Sequence, residues 1–270
     1  MHDFHVHTYY SSDSSAPIRN MVDAAIKENL EGICLTDHCD IANPPTYEDE
    51  IYDYGDYYAE VQQYRDKHLD KIAIRMGIEV GLQPSVVDRN REYLRGKAYD
   101  FLIGSIHSVA KQALYREDYL AGITDEQGIF NYFDDLALCI QDTDLYDVVG
   151  HIDGVRRYLR TKAVGPEAEA QLFQLIEEPL THCLKEIIHH GKGIEVNTSG
   201  LRYGLEAFHP MTSILKRYRD LGGEIITIGS DAHFPQHVGY CFKEARELLL
   251  HLGFKYYSLF TQRQAEFITL

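Results

Sequence analysis

Seven short apolar runs, each giving way to a polar loop and then to a helical pattern, restrict what this 270-residue chain can fold into more than any other feature. The first is Asp3-Phe4-His5-Val6-His7-Thr8, and the others lie at 32–36, 72–80, 100–105, 146–150, 193–196 and 224–230. A run such as Gly32-Ile33-Cys34-Leu35-Thr36 is apolar nearly throughout, as a strand covered on both faces must be. Helical patterns of ordinary length fall at 18–28, 85–95, 126–141, 166–189, 208–220 and 236–250, the first preceded by Pro17. Strand, loop and helix repeated in this order predict an α/β fold with a parallel sheet. Because nearly every run ends in a histidine or a carboxylate, the sheet is expected to close, or nearly close, into a barrel whose strands aim at one mouth. A doubly wound open sheet would gather ligands at a single switch point instead. One domain spanning residues 1–270 suffices, with the apolar segment 254–260 as an edge or closing strand.

In an extended first run, Asp3, His5 and His7 share one face while Phe4 and Val6 point into packing. The polar residues that follow the runs add Asp13, His38, Glu79, His107, His151, Asn197, Asp231 and His233. Glu79 stands between Ile78 and Val80, and an acid inside an apolar strand is costly unless it is paired or bound to a cation. With Asn197 and Asp3 set aside, nine candidate metal ligands remain: His5, His7, Asp13, His38, Glu79, His107, His151, Asp231 and His233. Four ligands saturate a structural zinc, so this set suits two or three divalent ions, bridged by a carboxylate such as Glu79. Imidazole and carboxylate together suit zinc, manganese or iron. Multinuclear centres fit displacement at phosphorus, where cations generate hydroxide near neutral pH and clamp the oxygens that gain charge. No nucleophile elbow, P-loop or dinucleotide fingerprint competes for the role. Among the other histidines, His2, His68, His182, His189, His190, His209 and His251 fall in helices or loops and read as surface residues, while His237 fits either reading.

A formal net charge of −16 argues against nucleic acid as a partner, since tracking a phosphate backbone normally needs clustered Lys and Arg, and it favours a small-molecule substrate. The first residues show no basic start followed by an apolar stretch, and no run of about 18 apolar residues appears, so neither a secretion signal nor a membrane span is expected. Five scattered cysteines without a C-x-x-C pair fit a reducing, cytoplasmic setting and no sulfur-based zinc site. The acidic, tyrosine-rich segment 47–64 reads as a loop leading into a helix with a solvated face. A lid that offers carboxylates and rings to a cationic ligand is the sharper alternative.

The motifs Asp3-Phe4-His5-Val6-His7, Thr36-Asp37-His38, Glu79, Ser105-Ile106-His107, Gly150-His151 and Ser230-Asp231-Ala232-His233 closely resemble those of the PHP (polymerase and histidinol phosphatase) family, in that family's order. Gly150-His151-Ile152-Asp153 followed by arginines, and Glu195-Val196-Asn197-Thr198-Ser199-Gly200-Leu201-Arg202, resemble its L-histidinol-phosphate phosphatase branch. The resemblance implies a distorted (β/α)7 TIM-like barrel with three divalent metal ions at the carboxy ends of the strands. By analogy His5, His7, Glu79 and Asp231 hold the first ion, Glu79, His107 and His151 the second, and Asp13, His38 and His233 the third. Asp13 stands where some relatives carry histidine, which makes the third site more oxygen-rich.

The expected reaction is hydrolysis of a phosphate monoester, with a hydroxide bridging two ions as nucleophile and histidinol phosphate of histidine biosynthesis as substrate. Arg202 is the first choice for the phosphoryl oxygens, with Arg157, Arg160 and Arg156 as further candidates, because the guanidinium fork matches phosphate oxygens two at a time. Asp231 or His233 would relay a proton to the leaving alkoxide. Asp37 and Asn197 would orient ligands or substrate, since a metal-bound imidazole needs its other nitrogen held. The alternatives are a broader phosphoesterase acting on other monoesters or on 3′ ends of nucleic acid, and a non-catalytic metal-binding module.

Overall fold

The computed structural model describes residues 1–116 and 118–270. Seven parallel strands form the expected sheet: β1 (His2–Val6), β2 (Gly32–Leu35), β3 (Ala73–Gly81), β4 (Phe101–Ser105), β5 (Val148–Val149), β6 (Gly193–Asn197) and β7 (Ile226–Gly229), each hydrogen-bonded to the next in chain order. The last meets the first at the carboxy rim, where the His7 amide donates to Ala232 O at 2.9 Å. The sheet is thereby nearly closed into a (β/α)7 barrel.

Helices α1 (Ile18–Lys27), α2 (Tyr54–His68), α3 (Val87–Leu94), α4 (Asp125–Cys139), α5 (Pro166–His189) and α6 (Thr212–Asp220) connect successive strands, and α7 (Phe242–His251) follows the seventh. The acidic tyrosine-rich segment enters α2 through Asp53, whose side chain accepts from Asp56 N. It is not merely a solvated face: Tyr57 is fully buried and its hydroxyl donates to Leu35 O at 2.9 Å, tying the helix to β2. Two short hairpins rise at the carboxy side, one from His38–Asn43 and Glu48–Glu50, the other from Ser108–Val109 and Gln112–Ala113. Among the described residues, no helix is long and apolar enough to cross a membrane.

The segment 254–260 is neither an edge nor a closing strand of the barrel. It opens an antiparallel hairpin, β8 (Tyr256–Thr261) with β9 (Gln264–Thr269), packed against the amino ends of the barrel strands. Phe260 packs at a tilt against Phe101, which meets Phe4 edge to face, so apolar rings line that end. The buried apolar side chains from Phe4 to Leu270 form one connected core. The functional side chains of such barrels gather at the other, carboxy end of the strands.

Candidate metal centre

Strand β1 carries His5 and His7 to the carboxy rim, fully buried and with rings 5.0 Å apart. The pairing of β1 shifts register between Asp3 and Val6, so strict alternation fails. Asp3 consequently takes no part in the cluster and instead accepts from Ser230 N, Ser230 Oγ and Gly239 N. Glu79, on β3, is the hub. Its Oε2 lies 3.2 Å from His5 Nε2, 3.5 Å from His7 Nε2 and 3.0 Å from His38 Nδ1. Its Oε1 lies 3.1 Å from His151 Nε2 and 3.3 Å from His107 Nε2. Asp231 Oδ1 is 3.5 Å from His7 Nε2 and 3.6 Å from His233 Nδ1, and Asp13 Oδ2 is 3.0 Å from His233 Nε2 and 3.6 Å from His38 Nε2. All nine residues read as ligands from the sequence are thus brought together.

Local backbone makes the convergence feasible. A Cβ on Gly229 would come within 2.2 Å of Glu195 Oε1 and 2.4 Å of His5 Cβ, and one on Gly150 within 2.5 Å of Ser105 Oγ, so side chains at these points would fill the space the acids need. His151 and Asp231 adopt positive φ (25° and 55°), an uncommon conformation for residues with a Cβ and one that concentrates at functional sites.

The donor set fits divalent cations. His5 Nε2, His7 Nε2, His38 Nδ1, His233 Nε2 and Glu79 Oε2 are buried and, although they crowd together, none makes a well-aligned hydrogen bond among the described residues. Buried polar atoms are normally paired, and five unpaired ones at a single focus call for an ion. Behind them, the opposite nitrogens are held. His5 Nδ1 donates to Glu195 Oε1 at 2.7 Å, His107 Nδ1 to Asp40 Oδ1 at 2.9 Å, and His7 Nδ1 to Ser11 Oγ at 3.1 Å, which in turn donates to Asp37. That arrangement turns a lone pair of each ring toward the focus.

The electrostatics agree. Burial would raise the Glu79 carboxyl, but His5, His107 and His38 around it hold it well below its ordinary range. Burial depresses His7, and the neighbouring His233 and His38 push it further down, leaving a neutral imidazole. Burial would likewise depress His107, yet Asp40 and Glu79 hold it up to about 10, a sign of the positive charge these carboxylates demand.

A cavity of about 470 Å3 opens over the cluster and is lined also by Arg157, Tyr158, Tyr203, Asn43, Glu50 and Tyr115. Of the candidate phosphate-binding arginines, Arg157 alone reaches it. Arg202 does not line the cavity; its Nη2 donates to the carbonyls of Ser230 and Asp231 at 2.8 and 2.9 Å, bracing the loop that carries Asp231. Arg160 is also brought elsewhere: half-exposed, it donates to Ile123 O and Asp125 at the start of α4. Arg156 is buried in ion pairs with Asp153 and Glu169. Asn197 is fully buried and donates to Glu195 Oε2 at 3.0 Å, so it orients the acid behind His5.

Three histidines read as surface residues are buried: His2 against the Tyr257 hydroxyl, His68 at the end of α2, and His209 between Asp153 and Arg157. His182, His189 and His251 are exposed and His190 is half-buried, while His237 lies in the turn Pro235–His237 and does not line the cavity. Glu195 and Asp40 were missed in the sequence. Glu195 carried the same signal as Glu79, an acid embedded in an apolar run.

The PHP domain model matches residues 3–199. The "Probable histidinol-phosphatase" of Clostridium acetobutylicum is 29% identical over 253 residues, with 94% of each chain covered. The histidinol-phosphatase of Lactococcus lactis subsp. lactis is 29% identical over 259 residues, covering 93% of this chain and 91% of that one. The crystal structure of histidinol phosphate phosphatase from Lactococcus lactis subsp. lactis Il1403, complexed with zinc, L-histidinol and phosphate, superposes with a TM-score of 0.87 at 25% identity over 98% of both chains. Since the match spans well over half of its length, this chain belongs to the PHP domain family.

Proposed function

We propose that the protein is a metal-dependent phosphomonoester hydrolase that converts L-histidinol phosphate and water to L-histidinol and phosphate. The observation that carries this reading is the focus of unpaired buried ligand atoms around Glu79, directly beside Arg157 in one cavity. Its likeness to a phosphatase crystallised with zinc, L-histidinol and phosphate supports the substrate. His5, His7, Glu79 and Asp231 would hold one ion, Glu79, His107 and His151 a second, and Asp13, His38 and His233 a third. Zinc, manganese and iron all suit the donors. When bound, the ions supply a hydroxide nucleophile near neutral pH and neutralise charge on the phosphoryl oxygens.

The chain's own residues do the rest. Arg157, stacked on Tyr203, offers its guanidinium to the phosphoryl group. Glu50 and Tyr115 give the cavity an acidic, aromatic side suited to the cationic end of histidinol. Asp231 suits ligation better than proton donation, because His5, His7 and Arg157 outweigh the effect of its burial and hold the carboxyl well below its usual range. His233, partly open to the cavity, is then the better relay to the leaving alkoxide. The free thiols fit a reducing compartment, and a cytoplasmic location belongs to the same proposal.

The test is phosphate release from histidinol phosphate compared with other monoesters and with 3′-terminal nucleotides, using enzyme of known metal content. Strong preference for histidinol phosphate is expected. Equal rates across the monoesters would leave only a broad phosphoesterase, and no release from any would leave a metal-binding module.

A further inference from the structure

Arg157 ends the short helical turn Gly154–Arg157, and its guanidinium is held from several sides. Nε donates to His209 Nε2 at 3.0 Å, and Nη2 donates to Ser199 Oγ at 2.7 Å and to Asp231 Oδ2 at 3.0 Å. Its face lies 4.4 Å from the centre of the Tyr203 ring. These contacts leave the Nη1 end unengaged by any of the four partners.

Arginine can only donate, so His209 Nε2 must present its lone pair and the ring must carry its proton on Nδ1. That nitrogen lies 2.5 Å from Asp153 Oδ1. The other oxygen of Asp153 accepts from Arg156 Nη1 at 2.9 Å and from Met211 N at 3.0 Å. Asp153 and His209 are both fully buried. The His209 backbone exchanges hydrogen bonds of 2.6 and 2.9 Å with Asn197 at the end of β6, which pins the ring to the barrel. Burial also pushes the His209 imidazole down to about 4, in keeping with a neutral ring.

The chemistry of this chain of bonds has a purpose that packing alone does not need. Arg156 compensates the charge of Asp153, so what reaches Arg157 is an uncharged acceptor. A second carboxylate in that place would cancel more of the charge Arg157 carries to the cavity, where Asp231 already offsets part of it. A neutral imidazole fixes the direction of the fork and leaves its charge available.

We propose that His209 is a positioning residue for the anion-binding arginine: locked by Asp153 as the Nδ1–H tautomer, it holds the Arg157 guanidinium with its Nη1 end available to a phosphoryl oxygen. This rests on the reading that Arg157 meets the phosphoryl group of the substrate.

The experiment measures binding of inorganic phosphate by calorimetry, and steady-state kinetics with histidinol phosphate, for wild type, His209→Leu, His209→Gln, Asp153→Asn, Arg157→Ala and the double variant His209→Leu/Arg157→Ala. Bound metal is quantified in each. His209→Leu is expected to weaken phosphate roughly tenfold or more, the scale of one hydrogen bond to a charged group, and to raise KM more than it lowers kcat. His209→Gln, whose amide oxygen can accept from Nε, recovers most of the loss. Asp153→Asn keeps the ring but permits the Nε2–H tautomer, which turns donor against donor, and it too weakens phosphate. In the Arg157→Ala background His209→Leu costs nothing further. Wild-type phosphate affinity in His209→Leu, or the same loss with and without Arg157, overturns the proposal. If these couplings hold while histidinol phosphate is not hydrolysed, the positioning role stands and the substrate assignment falls.

Discussion

The two ends of the barrel bury polar and charged side chains alike and treat them in opposite ways. At the amino end the buried acids are paired, while His68 and Arg75 Nη1 are scattered exceptions: Asp100 accepts from Met76 N at 3.0 Å and from Gln262 N at 3.2 Å, Asp147 accepts from Leu102 N at 3.0 Å and Arg263 Nη2 at 2.9 Å, and His2 meets the Tyr257 hydroxyl at 2.9 Å. At the carboxy end five ligand atoms of His5, His7, His38, Glu79 and His233 are left without partners around one point. The contrast teaches that the amino end holds the fold together, through a hairpin that caps it, while the carboxy end leaves a cluster of donor atoms unpaired, which suits the cations and substrate proposed for it.

Four changes can break or sharpen that division. Glu79→Gln removes the hub and is expected to cost about 3–5 kcal/mol of transition-state stabilisation, a fall in kcat/KM of about 10^2- to 10^4-fold, with fewer metal equivalents bound. Arg263→Ala, at the other end, strips Asp147 of its main partner; stability should drop by about 2–3 kcal/mol in urea unfolding while kcat/KM stays near wild type. A large activity loss in this variant would erase the distinction between the ends. Glu195→Gln, behind His5, should lower metal affinity or activity about 10- to 100-fold, the usual effect of a group that orients a ligand.

The smallest effect concerns His2, pushed down to about 4 by burial, with Arg75 adding to it. Between that value and the ordinary 6.5 the unfolded chain binds a proton that the folded one refuses, so this contribution is present above about pH 6.5 and lost as the pH falls toward 4. His2→Gln should remove about 2 kcal/mol of that acid-side decline. Parallel declines for variant and wild type between pH 7 and 4 would contradict it.

Much of this was legible beforehand because strand ends on a barrel face one mouth. An apolar run that stops at His38, His107, His151 or Asp231 states both where the strand ends and what it delivers. Arginine direction was not legible. Arg157 ends a short helical turn and Arg160 and Arg202 lie on loops, all with long flexible side chains, and which carbonyl or carboxylate each finds depends on tertiary neighbours such as Ile123 or Ser230. His209 gave no local sign either, since its partners Asp153 and Arg157 come from another loop about 50 residues away. The capping hairpin was only half visible: β8 is apolar, but β9 is almost wholly exposed and offers little hydrophobic pattern.

The most direct test of the central claim is metal content per chain, measured alongside phosphate release from histidinol phosphate as the purified protein is stripped by chelation and then reloaded. Several bound divalent ions are predicted, with activity lost as they leave and regained as zinc, manganese or iron returns. Undiminished phosphate release from protein shown to hold no transition metal would contradict the account.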